Sequence, residues 1–152
     1  MASSNYSFTV LAFLLVLALM SIDSATSLSL FGKKKHVHVV NNIDSASNPI
    51  YVHCKSGDDD LGSQYLQLNQ EFQWSFRDNI FGSTLFFCTI NWNNVHDGKR
   101  YGLVYDSYVA LKTPCDKDCI WSARSDGVYF YDDDSQSYVF KYYWSVIPPM
   151  QQ

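Results

Sequence analysis

Two of the four cysteines in this chain stand inside stretches that alternate apolar and polar residues, and that placement narrows the folds open to it. Ile50, Val52 and Cys54 alternate with Tyr51, His53 and Lys55, while Phe86, Cys88, Ile90 and Trp92 alternate with Phe87, Thr89 and Asn91. A period of two marks a strand with one buried face, so Cys54 and Cys88 are expected to point inward. With Cys115 and Cys119 the count is even, which reads as two disulfides in an exported chain. The first residues supply the export. Phe8 to Ile22 is apolar through Val10, Leu11, Phe13, Leu14, Leu15, Val16, Leu17 and Leu19, and it stops at Asp23 before the small residues Ser24, Ala25 and Ser27. That run is shorter than the ~20 residues needed to cross a bilayer. It predicts a secretory signal peptide over residues 1–27, cleaved between about residues 24 and 27, and no stable membrane anchor. No Lys or Arg precedes the apolar stretch, so the usual positive charge there falls to the amino terminus.

The remaining domain, residues 28–152, buries somewhat under 70% of its unfolded surface, so covalent cross-links matter to it. Each disulfide is expected to add roughly 2–4 kcal/mol, chiefly by restricting the unfolded chain. Zinc is the alternative for the closely spaced Cys115 and Cys119, but a structural zinc site needs four clustered ligands, and none is expected here. Aromatic residues make up 16% of the chain, led by 11 Tyr and 10 Phe, which favour strands. Besides the two alternating segments, strands are expected at His36 to Asn41, around Phe72, Trp74 and Phe76, and at Tyr101 to Lys112, Cys119 to Ser125, Gly127 to Tyr131 and Tyr138 to Trp144. Asp126-Gly127 is a hairpin signature. Leu61 to Asn69 is the one place left for a short turn of helix. About eight strands punctuated by Gly, Asp, Asn and Ser define an all-β chain, a small antiparallel β-sandwich stabilised by disulfides. No repeat or linker divides it into further domains.

Two acidic triplets stand out, Asp58-Asp59-Asp60 after one strand and Asp132-Asp133-Asp134 after another. Glycoside hydrolysis needs two carboxylates facing each other across a sugar, one with a raised pKa, and adjacent carboxylates in solvated turns are not placed for that. Calcium loops alternate their oxygen ligands and add a later bidentate acid, a pattern neither triplet has. Solvated turns that keep strand edges from pairing account for both. Lys33-Lys34-Lys35, followed by His36 and His38, forms a basic arm that reads as a solvated terminus or as a contact for an anionic surface. Trp74, Trp92, Trp121 and Trp144 are expected in the core and not as a sugar-stacking platform. There is no nucleophile elbow, phosphate loop or nucleotide fingerprint, so no catalytic residue, no cofactor, no metal and no nucleic-acid partner is expected.

The run His53-Cys54-Lys55-Ser56-Gly57-Asp58-Asp59-Asp60-Leu61-Gly62 is followed by Phe72-x-Trp74-Ser75-Phe76, Phe81-Gly82-x-Thr84-Leu85-Phe86-Phe87-Cys88, Cys119-x-Trp121 and Asp126-Gly127. In order and spacing this resembles the plant self-incompatibility protein (S-protein homologue) family, over roughly Val37 to Trp144. The resemblance implies a secreted, extracellular β-sandwich of two antiparallel sheets with paired cysteines. It also implies a recognition role like that of the ligands that trigger rejection of self pollen, without enzymatic activity. Gly57 stands where relatives often carry a charge, and the glycosylation sequon many relatives have near the start of the domain is missing. Four cysteines allow three connectivities; the working expectation is Cys54 with Cys119 and Cys88 with Cys115. A monomer binding an unidentified cell-surface receptor or extracellular protein is expected, through turns. Asp132, Asp133, Asp134, Ser135 and Gln136 lead, and Asp58, Asp59 and Asp60 follow. The competing function is a secreted carbohydrate-binding protein or glycoside hydrolase.

Overall fold

The computed structural model describes residues 32–43 and 49–149; the expected signal peptide and its cleavage positions lie outside the described residues. Ten strands are present among the described residues: β1 (Lys34–Asn41), β2 (Ile50–Ser56), β3 (Asp60–Leu66), β4 (Glu71–Arg77), β5 (Leu85–Asn93), β6 (Arg100–Val109), β7 (Asp118–Arg124), β8 (Gly127–Asp132), β9 (Ser137–Tyr142) and β10 (Ser145–Ile147). They form two five-stranded sheets, ordered β4-β1-β7-β8-β9 and β10-β6-β5-β2-β3. All pairings are antiparallel except β1 with β7, which is parallel, so both sheets are antiparallel-rich, as expected. The stretch read as a turn of helix is instead strand β3 up to Leu66, followed by a tight turn in which the Gln70 amide donates to the Gln67 carbonyl at 3.0 Å.

Alternation explains how the sheets meet. Val37 and Val39 of β1, Ile50, Val52 and Cys54 of β2, and Cys88, Ile90 and Trp92 of β5 all face the interior and are buried. Aromatic rings bridge the two layers: Trp74 meets Phe86 at 5.6 Å between centroids, Phe76 meets Tyr108 at 4.7 Å, and Trp121 meets Tyr105 at 4.8 Å. Such tilted and edge-on pairs add about 0.5–1.5 kcal/mol each beyond the area they bury. Trp92 and Trp121 are buried, and Trp74 and Trp144 are half-buried against the same core. Burial leaves the indole N–H of Trp121 in need of an acceptor, which the Ser107 carbonyl provides at 2.8 Å.

The cysteines pair differently from the expectation. Cys54 is bonded to Cys88, and Cys115 to Cys119. The register is the reason for the first bond: Cys54 and Cys88 are direct cross-strand partners of β2 and β5, with Cα atoms 4.1 Å apart, and both side chains leave the same face of one sheet. Cys119 belongs to the other sheet, opposite Val37, which puts it across the core from Cys54 and within a short loop of Cys115. The β7–β8 hairpin turns at Ser125 and Asp126, and Gly127 opens β8. A Cβ on Gly127 would come within 2.5 Å of the Tyr142 carbonyl, so a glycine is required by the closeness of the neighbouring strand.

Candidate functional site

Strand directions decide which loops can act together. Register puts the start of β1 beside the end of β4 and the start of β7, and pairs the end of β8 with the start of β9. In the other sheet the end of β2, the start of β5 and the end of β6 coincide. The β2–β3, β4–β5, β6–β7 and β8–β9 connections therefore gather at one end of the sandwich, and both acidic triplets are there. They occupy opposite corners. Asp58 and Asp59 share a cleft of about 400 Å³ with Phe76 and Arg77 of the edge strand β4, whereas the β8–β9 turn stands at the other edge of that sheet. Three interstrand spacings of ~4.8 Å separate β4 from β8, which ends at Asp132, about 14 Å, too far for two carboxylates to flank one glycosidic bond.

The two turns are built differently. Asp60 is the first residue of β3, not a turn residue as the sequence suggested. Its carboxylate takes a hydrogen bond or ion pair from His53 Nε2 at 2.6 Å, one from Lys55 Nζ at 3.3 Å, and one from the Gly62 amide at 2.9 Å. The His53 contact first, and the Gly62 amide second, hold the Asp60 carboxyl down at about 2. Asp58 and Asp59 are exposed and enter no ion pair among the described residues. Their backbone amides are held by the Ser56 hydroxyl at 3.3 and 2.9 Å.

At the other corner the bonds close on themselves. The Asp132 carboxylate accepts from the Ser135 hydroxyl at 2.8 Å and from the Asp134 amide at 3.2 Å, which lowers its pKa, the Ser135 bond foremost. The Gln136 side-chain amide donates to the Asp133 carbonyl at 2.6 Å, and the Tyr131 hydroxyl reaches Gln136 Oε1 at 3.3 Å. Gln136 adopts a left-handed φ of 50° to close the turn. Asp60 and Asp132 are thus held below the usual carboxylate range, the reverse of what a general acid requires.

The basic arm is part of the domain. Lys34 and Lys35 belong to β1, and Lys35 Nζ donates to the carbonyls of Cys115 and Asp116 at 2.7 and 2.6 Å, while Lys33 pairs with Asp116 at 2.9 Å. His36 and His38 project on one side as expected, with ring centroids 6.5 Å apart, and His38 Nδ1 lies 3.0 Å from Glu71. Two features escaped the sequence. One is a cleft of about 430 Å³ on the outer face of the second sheet, lined by Tyr51, Tyr65, Asn91, Asn93 and Arg100. The other is an apolar tip at the loop end made by Ile80, Phe81 and Leu111, all exposed. An exposed apolar residue has no distinguishing mark in a sequence, since the same letters fill the core.

A disulfide-bonded sandwich that gathers four loops at one end belongs to the class of scaffolds that present loops. Comparison with known proteins places it further. Residues 36–144 match the family described as plant self-incompatibility protein S1, and the chain belongs to that family. It is 34% identical over 110 residues to S-protein homolog 1 of Arabidopsis thaliana, covering 72% of this chain and 71% of that one. With S-protein homolog 21 of the same plant it shares 36% over 116 residues, 75% and 85% of the two chains. Self-incompatibility protein S1 of Papaver rhoeas is 31% identical over 90 residues, 57% of this chain and 61% of that one. Among solved structures, one of the SPH (self-incompatibility protein homologue) proteins superposes with a TM-score of 0.55 at 24% identity, covering 74% of this chain and 96% of the other. Those proteins are described as small, highly stable and secreted, from plants, which agrees with the export expected from the apolar stretch of Phe8 to Ile22.

Proposed function

We propose that this chain is a secreted plant recognition ligand that acts by binding a cell-surface or extracellular partner, as a monomer and without catalysis. The observation that carries the reading is the β8–β9 turn. Every side-chain hydrogen bond described for Asp132, Asp133, Asp134, Ser135 and Gln136 stays between Tyr131 and Ser137. Such a turn is pre-shaped yet contributes nothing to the core, so its side chains are free to carry specificity while the sandwich stays intact. Asp58 and Asp59 offer a second contact of the same kind, and Asp60 serves mainly to fasten β2 to β3.

Carbohydrate binding is the second reading, and the cleft beneath Tyr65 favours it: a tyrosine pair in edge contact at 5.4 Å beside Asn91, Asn93 and Arg100 offers a ring face and polar groups to a sugar. Labelled, oxidised mature protein applied to plant cell surfaces separates the two. Saturable binding that is lost when Asp132 to Gln136 are replaced by Gly and Ser supports the ligand reading. Binding to a glycan array that is lost in Tyr65→Ala, with the turn replacement silent, supports the sugar reading instead.

A further inference from the structure

Strand register lays out a trough on the outer face of the second sheet. Tyr65 of β3 pairs with Tyr51 of β2, Tyr51 with Asn91 of β5, and Asn91 with Gly102 of β6, so the four stand in one row. Two residues further along the strands, Asn93 faces Arg100 on the same side. At Gly102 a Cβ would collide with Asn91 Oδ1 and Ile147 Cδ1, so the glycine lets both side chains lie low and keeps a floor between the tyrosines and Arg100. The cleft so formed holds about 430 Å³. Tyr65, 70% exposed and edge-on to Tyr51 at 5.4 Å, stands on one side of it and Arg100 on the other. A second cleft of about 320 Å³ shares Arg100 and continues past Lys99 and Val146 to Pro148.

Charge over the two clefts has one sign. Among the described residues the charged side chains that line them are Lys99 and Arg100, and neither enters an ion pair there. The nearby acids are engaged or distant. Asp97 accepts from the Tyr101 hydroxyl at 2.6 Å and from the Lys99 amide at 2.9 Å, and Tyr101 stacks on buried Trp92, on the face opposite Arg100. Asp60 and Asp106 share the outer face with Arg100, but they stand in the row of Lys55 and Phe87, about 13 Å along the strands from Tyr51 and Asn91. Asp60 is also paired with His53 and Lys55.

A ring face, two amides and a guanidinium together select a ligand. Tyr65 offers an apolar ring to the C–H face of a sugar, Asn91 and Asn93 can donate to and accept from its hydroxyls, and Arg100 presents a planar fork that matches a carboxylate. We propose that this cleft binds an acidic oligosaccharide, with Tyr65 stacked on a uronate ring, Arg100 on its carboxylate, and the next sugar in the adjoining cleft beside Lys99. An acidic peptide would bring the carboxylate but no hydroxylated ring for the tyrosine and the amides. The proposal rests on the second reading of the function, sugar binding at this cleft, and specifies the class of sugar; the β8–β9 turn takes no part in it.

The test is calorimetric titration of the oxidised mature protein with a linear galacturonic acid trisaccharide, its methyl ester, a neutral glucose trisaccharide and poly-glutamate. Saturable binding of the acid is expected, weakened at least about tenfold in the methyl ester, which removes the charge and keeps the ring. Arg100→Gln should cost the acid a similar factor, and Tyr65→Ala should weaken it about tenfold. Arg100 is exposed, so Arg100→Gln is expected to keep the unfolding midpoint, which separates a lost contact from a lost fold. Equal affinity for acid and ester overturns the acidic ligand and leaves the sugar reading standing. Full binding of the acid by Arg100→Gln overturns the proposal as well. Poly-glutamate bound as tightly as the acid trisaccharide assigns the cleft to an acidic peptide and overturns the saccharide. Absence of binding to every saccharide overturns the proposal and the sugar reading together, and leaves the ligand reading of the β8–β9 turn untouched.

Discussion

The two disulfides do opposite work. Cys54–Cys88 joins residues 34 apart in sequence, both buried, in the middle of the sheet that carries β2 and β5. Cys115–Cys119 joins residues only 4 apart and closes a connection at the loop end, where Lys35 also grips the Cys115 and Asp116 carbonyls. The first restrains a long stretch of unfolded chain. The second shapes a loop that the unfolded chain would close at small entropic cost. The loops at one end of the sandwich can thus vary while the strand pairing beneath them is covalently fixed.

That contrast predicts unequal losses. Joint Cys54→Ala and Cys88→Ala substitution should destabilise the fold by about 4 kcal/mol, and joint Cys115→Ala and Cys119→Ala by about 2 kcal/mol, the loop-length dependence setting the ratio. Equilibrium unfolding in urea under non-reducing conditions measures both. Equal losses would break the comparison and point to strain or packing at the loop bond as the larger contribution. The first variant should also loosen the pairing of β2 with β5, read as faster amide exchange at Val52 and Ile90.

Alternation sets the faces of β2 and β5 but not their partners, so the inward direction of Cys54 and Cys88 is legible in the sequence while their bond to each other is not. A face is a local property with a period of two, while a cross-strand partner depends on the whole topology. The parallel β1–β7 pair was hidden for the same reason, being set by crossovers and not by either strand's composition. Strand β3 was missed because Asp60, Leu61, Gly62, Ser63, Gln64 and Tyr65 lack a buried alternate face at a sheet edge, and only Leu66 is buried. β10 is three residues wedged before Pro148 and Pro149. Of the site, the acidic turns were legible as exposed carboxylates, but not the closeness of Asp60 to His53, which needs the β2–β3 register.

Leu111 sharpens the comparison at the loop end. With a left-handed φ and an exposed side chain, Leu111→Gly should stabilise the fold by about 1 kcal/mol, seen as a higher thermal midpoint. A lower midpoint would mean that the contact with the Gly82 loop stabilises more than the backbone strain costs.

The smallest effect belongs to Asp60, because its carboxylate is solvated. Its folded pKa, about 2, lies below the unfolded value of ~3.9. The folded state therefore binds the proton less readily, and the contribution is fully present above pH ~4 and lost as the pH falls toward about 2. Asp60→Asn should flatten the fall in stability over that window and leave the urea midpoint at pH 7 slightly lower. Asp132→Asn should act in the same direction, since the Ser135 and Asp134 bonds also lower that carboxyl, but without loosening any strand pairing. Amide exchange at Ser63 and Gln64 separates the two turns: faster in Asp60→Asn, where the β2–β3 fastening is lost, and unchanged in Asp132→Asn. An unchanged rate in both would mean that β3 is held by its ladder to β2 alone, and that Asp58 to Asp60 is as free for partner contact as Asp132 to Gln136.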